Sequence, residues 1–155
     1  MASVELARVS VRTGSELRLD DVSLEVASGD FVGVVGGSGS GKTTLLRVIA
    51  GLESPTSGVI RIDGRDVTRA TPSQRDVGMV FQEPVLLRHL SVRRNVSFPL
   101  DVRRRDAADI RQRVDAEARA LHIEELLVRH PDELSHGEQQ MVQIARALVR
   151  VPQVL

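Results

Sequence analysis

Apolar and polar side chains alternate along much of the first half of the chain. Residues 4–11 and 17–26 follow this pattern on either side of a short turn at 13–15, and residues 58–64 follow it up to an Asp-Gly pair. Because successive side chains of a strand point to opposite faces of a sheet, this alternation predicts strands with one buried face. Two uninterrupted apolar runs, at 31–35 and 77–81, predict buried strands.

After Pro84 the spacing of the apolar residues becomes that of helices. They recur every three or four positions in two segments, 106–121 and 135–148, which predicts two helices with one apolar face each. The predicted core positions are Ile110, Val114, Ala118 and Leu121 in the first helix, and Met141, Ile144, Ala145 and Leu148 in the second.

The composition narrows the classes of function. The 155 residues fit one domain, and 21 basic against 21 acidic residues give no overall field that attracts nucleic acid. The absence of cysteine excludes a disulfide framework and a thiolate metal site. No apolar run approaches the about 20 residues that span a bilayer, and the N-terminus does not resemble a secretion signal. A soluble intracellular protein is therefore expected.

The strongest chemical signal is a glycine-rich run that contains the only lysine of the chain. It lies between the predicted strand at 31–35 and a predicted helix at 44–50, and it fits G-x-x-x-x-G-K-[ST]. The backbone N–H groups of such a loop surround a phosphate, the lysine reaches the β- and γ-phosphates, and Thr43 offers a hydroxyl to Mg²⁺. The predicted nucleotide-binding residues are Gly36, Gly37, Ser38, Gly39, Ser40, Gly41, Lys42, Thr43 and Thr44.

Two later features can add to this site. Gln82 stands at the tip of the predicted strand 77–81, where its side chain could contact Mg²⁺ or a water beside the γ-phosphate, although a glutamine at a strand end more often meets only solvent. Ser135 and Glu138 fit a capping box at the start of the second helix. The box does not explain Gly137, which is costly in a first turn and favours close approach of an anion.

Together, these residues resemble the ATP-binding cassette (ABC) ATPases. A phosphate loop, a glutamine loop and a signature occur in that family's order, the signature here being Leu134, Ser135, His136, Gly137 and Glu138. The resemblance implies an α/β P-loop NTPase fold with an N-terminal antiparallel β part, a parallel core sheet and an α-helical signature subdomain. It also implies ATP and Mg²⁺ as cofactors, with Lys42 and Gln82 in catalysis and Thr43 and Gln82 at the metal.

The resemblance further implies a partner for each half of the site. In the family two ATP-binding subunits form a head-to-tail dimer, so the signature would contact ATP bound to the loop of the other subunit. Residues 75–82 and 95–100 look like ATPases of solute importers, whereas His136 and Glu138 are closer to some amino-acid and urea importers, so the solute stays open. The expected role is ATP-driven solute import with membrane-spanning permease partners, at the cytoplasmic face of the membrane and without nucleic acid.

The chain departs from the family pattern in two places. The family usually stacks an aromatic residue on adenine, but Thr13 occupies that position, and Arg12 is a candidate substitute. The family's Walker B strand would begin at 151–155, where the sequence given ends. The expected layout is therefore a partial nucleotide-binding domain over 1–155 that lacks its C-terminal third and binds ATP with little or no turnover. Its parts are the ATP-binding core at 1–83, the helical part at 84–150 and the strand start at 151–155.

Two alternatives belong to other classes of function. The same residues would fit a truncated, non-hydrolysing nucleotide-binding remnant or a regulatory module. An ABC-type ATPase of DNA repair or chromosome structure would need a long coiled coil between Gln82 and Ser135, and the 52 residues between them are too few for it.

Overall fold

The computed structural model describes all residues, 1–155, as two compact units. The first unit comprises Met1–Val77 with Val154, and the second comprises Gly78–Gln153 with Leu155. A β-sheet and a helix organise the first unit, and helices organise the second.

The sheet of the first unit has four antiparallel strands in the order β2-β1-β3-β4. The strands are β1 (Val4–Thr13), β2 (Glu16–Val26), β3 (Ser57–Ile62) and β4 (Arg65–Asp66). The three alternating segments of the sequence are therefore confirmed as strands, and the turns between them lie where glycine was expected, at Gly14 and Gly64.

A bulge in β1 explains a break in its alternation. Leu6 and Val9 are both buried, although they are three residues apart, because Arg8 adopts a left-handed conformation (φ 52°) and shifts the register there. The backbone N–H of Arg8 donates to the Ser23 hydroxyl at 3.0 Å. A Cβ on Gly58 would lie 2.4 Å from the carbonyl oxygen of Arg8, so β3 needs a glycine opposite this bulge.

Two helices complete the first unit, α1 (Lys42–Ala50) and the short α2 (Pro72–Arg75). α1 ends at Gly51, whose left-handed conformation (φ 77°) closes the helix directly after the predicted segment 44–50. Leu45 and Val48 of α1 share one apolar core with the sheet. The other buried members of this core are Ala2, Val4, Leu6, Val9, Val11, Leu19, Ile60, Ile62 and Val67.

The two apolar runs that predict buried strands form no regular strand in this structure. Residues 31–36 pair with no other strand, and Phe31 is fully exposed. The run at 77–81 is reduced to one parallel bridge between Val77 and Val154, and Val80 is exposed. An interior strand of a parallel sheet needs a hydrogen-bonded neighbour along each edge, and no strand here supplies one to these runs. Their prediction as buried strands was wrong for this chain.

The second unit is built on three helices, α3 (Val92–Asp101), α4 (Ala107–Ala120) and α5 (His136–Leu148). α5 packs against both α3 and α4. Val114 and Ala118 are buried and Ile110 and Leu121 pack at the edge of the core, which confirms the predicted apolar face of α4. None of the helices is long and apolar enough to cross a membrane.

The predicted apolar face of α5 needs correction. Of the predicted positions, Ala145 is buried, Ile144 and Leu148 are half-buried and Met141 is exposed. Val142 and Val149, which were not among them, are buried in the core of the second unit. Both stripes have helical spacing, so periodicity cannot choose between them. The packing of α5 against α3 and α4 makes that choice.

Candidate nucleotide-binding site

The glycine-rich loop leads directly into the first turn of α1. Gly41 precedes the helix in a left-handed conformation (φ 88°), and a Cβ on it would lie 2.7 Å from the carbonyl oxygen of Arg18 and 2.9 Å from the Leu19 side chain. Backbone atoms cannot move aside as a flexible side chain can, so this position requires glycine for its conformation and for its space. The close contact also places β2 directly against the loop.

The N-terminus of α1 has no side-chain cap, unlike those of the other long helices. Ser91 caps α3, Asp106 caps α4 and Ser135 caps α5, each by accepting a backbone N–H of the first turn. Gly41 cannot do this for α1. The first-turn N–H groups and the positive end of the helix dipole are therefore available to an external anion.

Lys42 bends back over the loop that precedes it. Its Nζ donates to the carbonyl oxygens of Gly36 at 2.9 Å and Gly37 at 2.6 Å, and it lies 3.4 Å from the Ser40 hydroxyl. The structure therefore brings the one lysine together with the start of the loop and with Ser40. Thr43 is exposed beside it, so its hydroxyl is accessible to a metal ion, whereas Thr44 is buried.

A groove runs beside this loop, and β2 supplies one of its walls. Its lining consists of residues 16–18 of β2 and residues 39–44 of the loop and α1. The lining includes Arg18 but neither Arg12 nor Thr13. The backbone N–H of Arg12 instead donates to the Thr56 hydroxyl at 2.9 Å. Sequence reasoning missed the three β2 residues because no pattern within β2 marks its contact with the loop.

In the second unit, α5 holds the irregular segment that contains Gln82. Gln143 is fully buried, and its amide donates to the carbonyl oxygen of Phe81 at 2.8 Å and accepts the backbone N–H of Val85 at 2.7 Å. The guanidinium of Arg146 donates to the carbonyl oxygen of Val85. Gln82 itself is exposed between these two anchored residues. The only sequence signal for Gln143 is a polar residue beside the apolar positions of an amphipathic helix.

The predicted capping box at Ser135 and Glu138 is present. The Ser135 hydroxyl accepts the backbone N–H of Glu138, and the Glu138 carboxylate accepts the backbone N–H of Ser135 at 2.7 Å. Hydrogen bonding from Ser135, by its side chain first and its backbone second, lowers the pKa of Glu138. The carboxylate is thus held against the N-terminus of its own helix.

Neither packing nor backbone conformation within the second unit requires a glycine at Gly137. A Cβ at this position would meet no atom within 4 Å, and its φ lies outside the left-handed region. His136 beside it is exposed, and Leu134 before the box is buried in the core of the unit. The first turn of α5 thus presents an open backbone surface.

Known proteins identify the family of this chain. Residues 19–155 match the family described as ABC transporter. The chain is 46% identical over 142 residues to the sulfate/thiosulfate import ATP-binding protein CysA of Nocardia farcinica, which covers 92% of this chain and 43% of that protein. It is 44% identical over 152 residues to the Fe(3+) ions import ATP-binding protein FbpC of Vibrio cholerae, covering 98% and 43%. The chain therefore spans less than half the length of these relatives.

A solved structure shares the fold. The dimeric, post-hydrolysis state of an ATP-binding cassette bound to ADP and Pi superposes with a TM-score of 0.85 at 33% identity, covering 96% of this chain and 70% of that one. This likeness confirms the predicted α/β fold class of the ABC ATPases. By sequence and by fold, the chain belongs to the ABC transporter family.

Proposed function

We propose that residues 36–44 bind the phosphates of ATP with Mg²⁺. The observation that carries this proposal is the uncapped N-terminus of α1, preceded by a glycine loop and followed at once by Lys42. Three attractive elements, namely backbone N–H groups, the helix dipole and an ammonium, converge on one anion there. Following the order of motifs in the family, we propose the Thr43 hydroxyl and the Gln82 side-chain oxygen as Mg²⁺ ligands, because this ion prefers hard oxygen atoms.

Hydrolysis by a head-to-tail dimer is the second part of the proposal. Ser135, His136, Gly137 and the backbone of Glu138 form the open first turn of α5, a surface that a γ-phosphate on a second subunit can approach. The related cassette bound to ADP and Pi is itself a dimer. Lys42 and Gln82 are the proposed catalytic groups, and they act by positioning and by stabilising charge on the γ-phosphate.

Solute import is the process that this ATPase would drive. The relatives are named for sulfate or thiosulfate, for Fe(3+) and for osmoprotective compounds, although each is 42–46% identical to this chain. That subunits named for such different solutes resemble this chain to the same degree supports selection of the solute by other subunits. We therefore propose membrane-spanning permease partners and a peripheral position on the cytoplasmic face. The relatives give no support to a non-hydrolysing remnant over this role.

Replacing Lys42 by alanine is expected to weaken ATP binding to the chain at least about tenfold, because a charge-assisted hydrogen bond to phosphate contributes about 1.5–3 kcal/mol. Isothermal titration of the 155-residue chain with ATP and Mg²⁺ measures this. The matched control is Arg47→Ala, which removes the same charge from the last turn of the same helix. Equal ATP affinity of the Lys42→Ala and unaltered chains would contradict the proposed site.

Gly137→Ala is expected to raise the stability of the chain and to weaken its ATP-dependent self-association. The new methyl group meets no atom of the unit, and alanine favours a helix over glycine, so the free energy of unfolding should rise by about 0.5–1 kcal/mol. The same methyl group should weaken ATP-dependent self-association, since it blocks backbone approach to the partner's γ-phosphate. Sedimentation with ATP and Mg²⁺ tests this against Gln140→Ala on the same helix, and unchanged association of Gly137→Ala would exclude contact at this turn.

A further inference from the structure

We propose that Arg18 forms the platform on which the nucleotide base lies. This inference rests on the proposed binding of ATP phosphates at residues 36–44. It assigns the other end of the same ligand to β2, at a position that no pattern in the sequence singles out.

The geometry of β2 leads to this assignment. The carbonyl oxygen of Arg18 is so close to Gly41 that a Cβ on the glycine would lie 2.7 Å from it. A nucleotide whose phosphates contact the loop and the first turn of α1 therefore has β2 as its nearest wall. The groove beside the loop is lined on that side by Glu16, Leu17 and Arg18.

The chemistry of the groove favours a guanidinium as the stacking group. The chain contains no Tyr or Trp, and none of its three Phe residues lines this groove. A planar guanidinium stacks on aromatic rings and attracts their π-faces. Leu17, whose side chain is exposed, adds apolar surface to the same wall.

Glu16 gives the guanidinium a preferred position. Its carboxylate lies 3.4 Å from Nη2 of Arg18, and both residues line the groove. The Arg18 side chain remains partly exposed, so one face of the guanidinium is available to a base. Arg12, the other arginine near this end of the sheet, does not line the groove.

Arg18 could instead contact a phosphate group directly. A ligand that has phosphates but no base distinguishes this role from stacking on the base. Stacking requires the base, so Arg18→Ala should weaken binding of ATP by about threefold to tenfold and leave binding of inorganic tripolyphosphate unchanged. Contact with phosphate would weaken both. Arg18→Tyr should keep most of the ATP affinity, because an aromatic ring stacks without charge.

The experiment is isothermal titration of the 155-residue chain with ATP and with tripolyphosphate, each with Mg²⁺. Arg12→Ala is the matched control, since it removes an arginine from the neighbouring strand and should change neither affinity. The proposal is overturned if Arg18→Ala affects neither ligand or both equally, or if Arg18→Tyr binds ATP no better than Arg18→Ala. Lys42→Ala should weaken both ligands, and if it weakens neither, the proposed phosphate site fails irrespective of Arg18.

Discussion

Arg75→Met is expected to lower the free energy of unfolding of the first unit by about 3–5 kcal/mol, which is a large part of the total for a small domain. Arg75 is 3% exposed, and its guanidinium hydrogen-bonds only to backbone carbonyls. These are Val48 at 2.6 Å, Ile49 and Ala70 at 3.0 Å each, and Thr68 at 3.1 Å. Methionine fills a similar volume but removes the guanidinium donor from all four carbonyl oxygens, of which that of Val48 keeps the backbone N–H of Gly51 as a donor.

The loss of Arg75 would also affect the proposed nucleotide-binding site, because Arg75 contacts α1. Two of its acceptors, Val48 and Ile49, lie in the last turn of α1, where a cation also complements the helix dipole. Gly51 leaves the room for it, since a Cβ there would lie 2.7 Å from Nε of Arg75. The arginine thus ties the helix that begins at the phosphate loop to the segment at 68–75. Burial lowers the pKa of this guanidinium, but it stays protonated at neutral pH.

Urea denaturation of the variants measures the expected loss. Arg75→Lys keeps the charge but not the planar fork, so its stability should fall between those of the unaltered chain and Arg75→Met. Arg69→Met is the matched control, because Arg69 is exposed and its replacement should change the free energy of unfolding by less than about 0.5 kcal/mol. An Arg75→Met midpoint as high as that of Arg69→Met would show that the buried bonds contribute nothing.

Gln143→Leu should release the segment that contains Gln82 and lower the stability of the second unit by about 2–4 kcal/mol. Residues 78–90 form neither helix nor strand, so their backbone groups depend on side chains for hydrogen bonds. The buried amide of Gln143 satisfies Phe81 and Val85, one on each side of Gln82. Leucine keeps the volume but offers neither a donor nor an acceptor.

Amide hydrogen exchange distinguishes this local effect from general destabilisation. The Val85 amide should exchange faster in Gln143→Leu, relative to the amides of α4, whose bonds are internal to the helix. Gln140→Leu is the matched control, since Gln140 lies three residues earlier on α5 and bonds only to His136. Equal protection of Val85 in the two variants would rule out Gln143 as the anchor of the Gln82 segment.

Features whose hydrogen bonds close within a few residues were predictable from the sequence. The loop at 36–44, the end of α1 at Gly51 and the capping box of Ser135 and Glu138 are of this kind. Each depends on residue type at a fixed spacing, because backbone conformation and short-range hydrogen bonds define it. The strands β1 and β2, which form an antiparallel hairpin, were predictable for the same reason, since alternating apolar and polar side chains and a glycine turn indicate them.

The features that the sequence did not reveal depend on contacts between distant residues. Arg75 reaches carbonyls 26 and 27 residues away, and Gln143 reaches backbone groups 58 and 62 residues away. The apolar run at 31–35 predicted a buried strand, but a strand is paired and buried only where other strands lie beside it, and none does here. Local chemistry thus determined the glycine-rich loop, the helix caps and the family. Tertiary packing decided which strand lies against that loop, which side chains anchor Gln82 and α1, and which stripe of α5 is buried, because each is a contact that no short stretch of sequence contains.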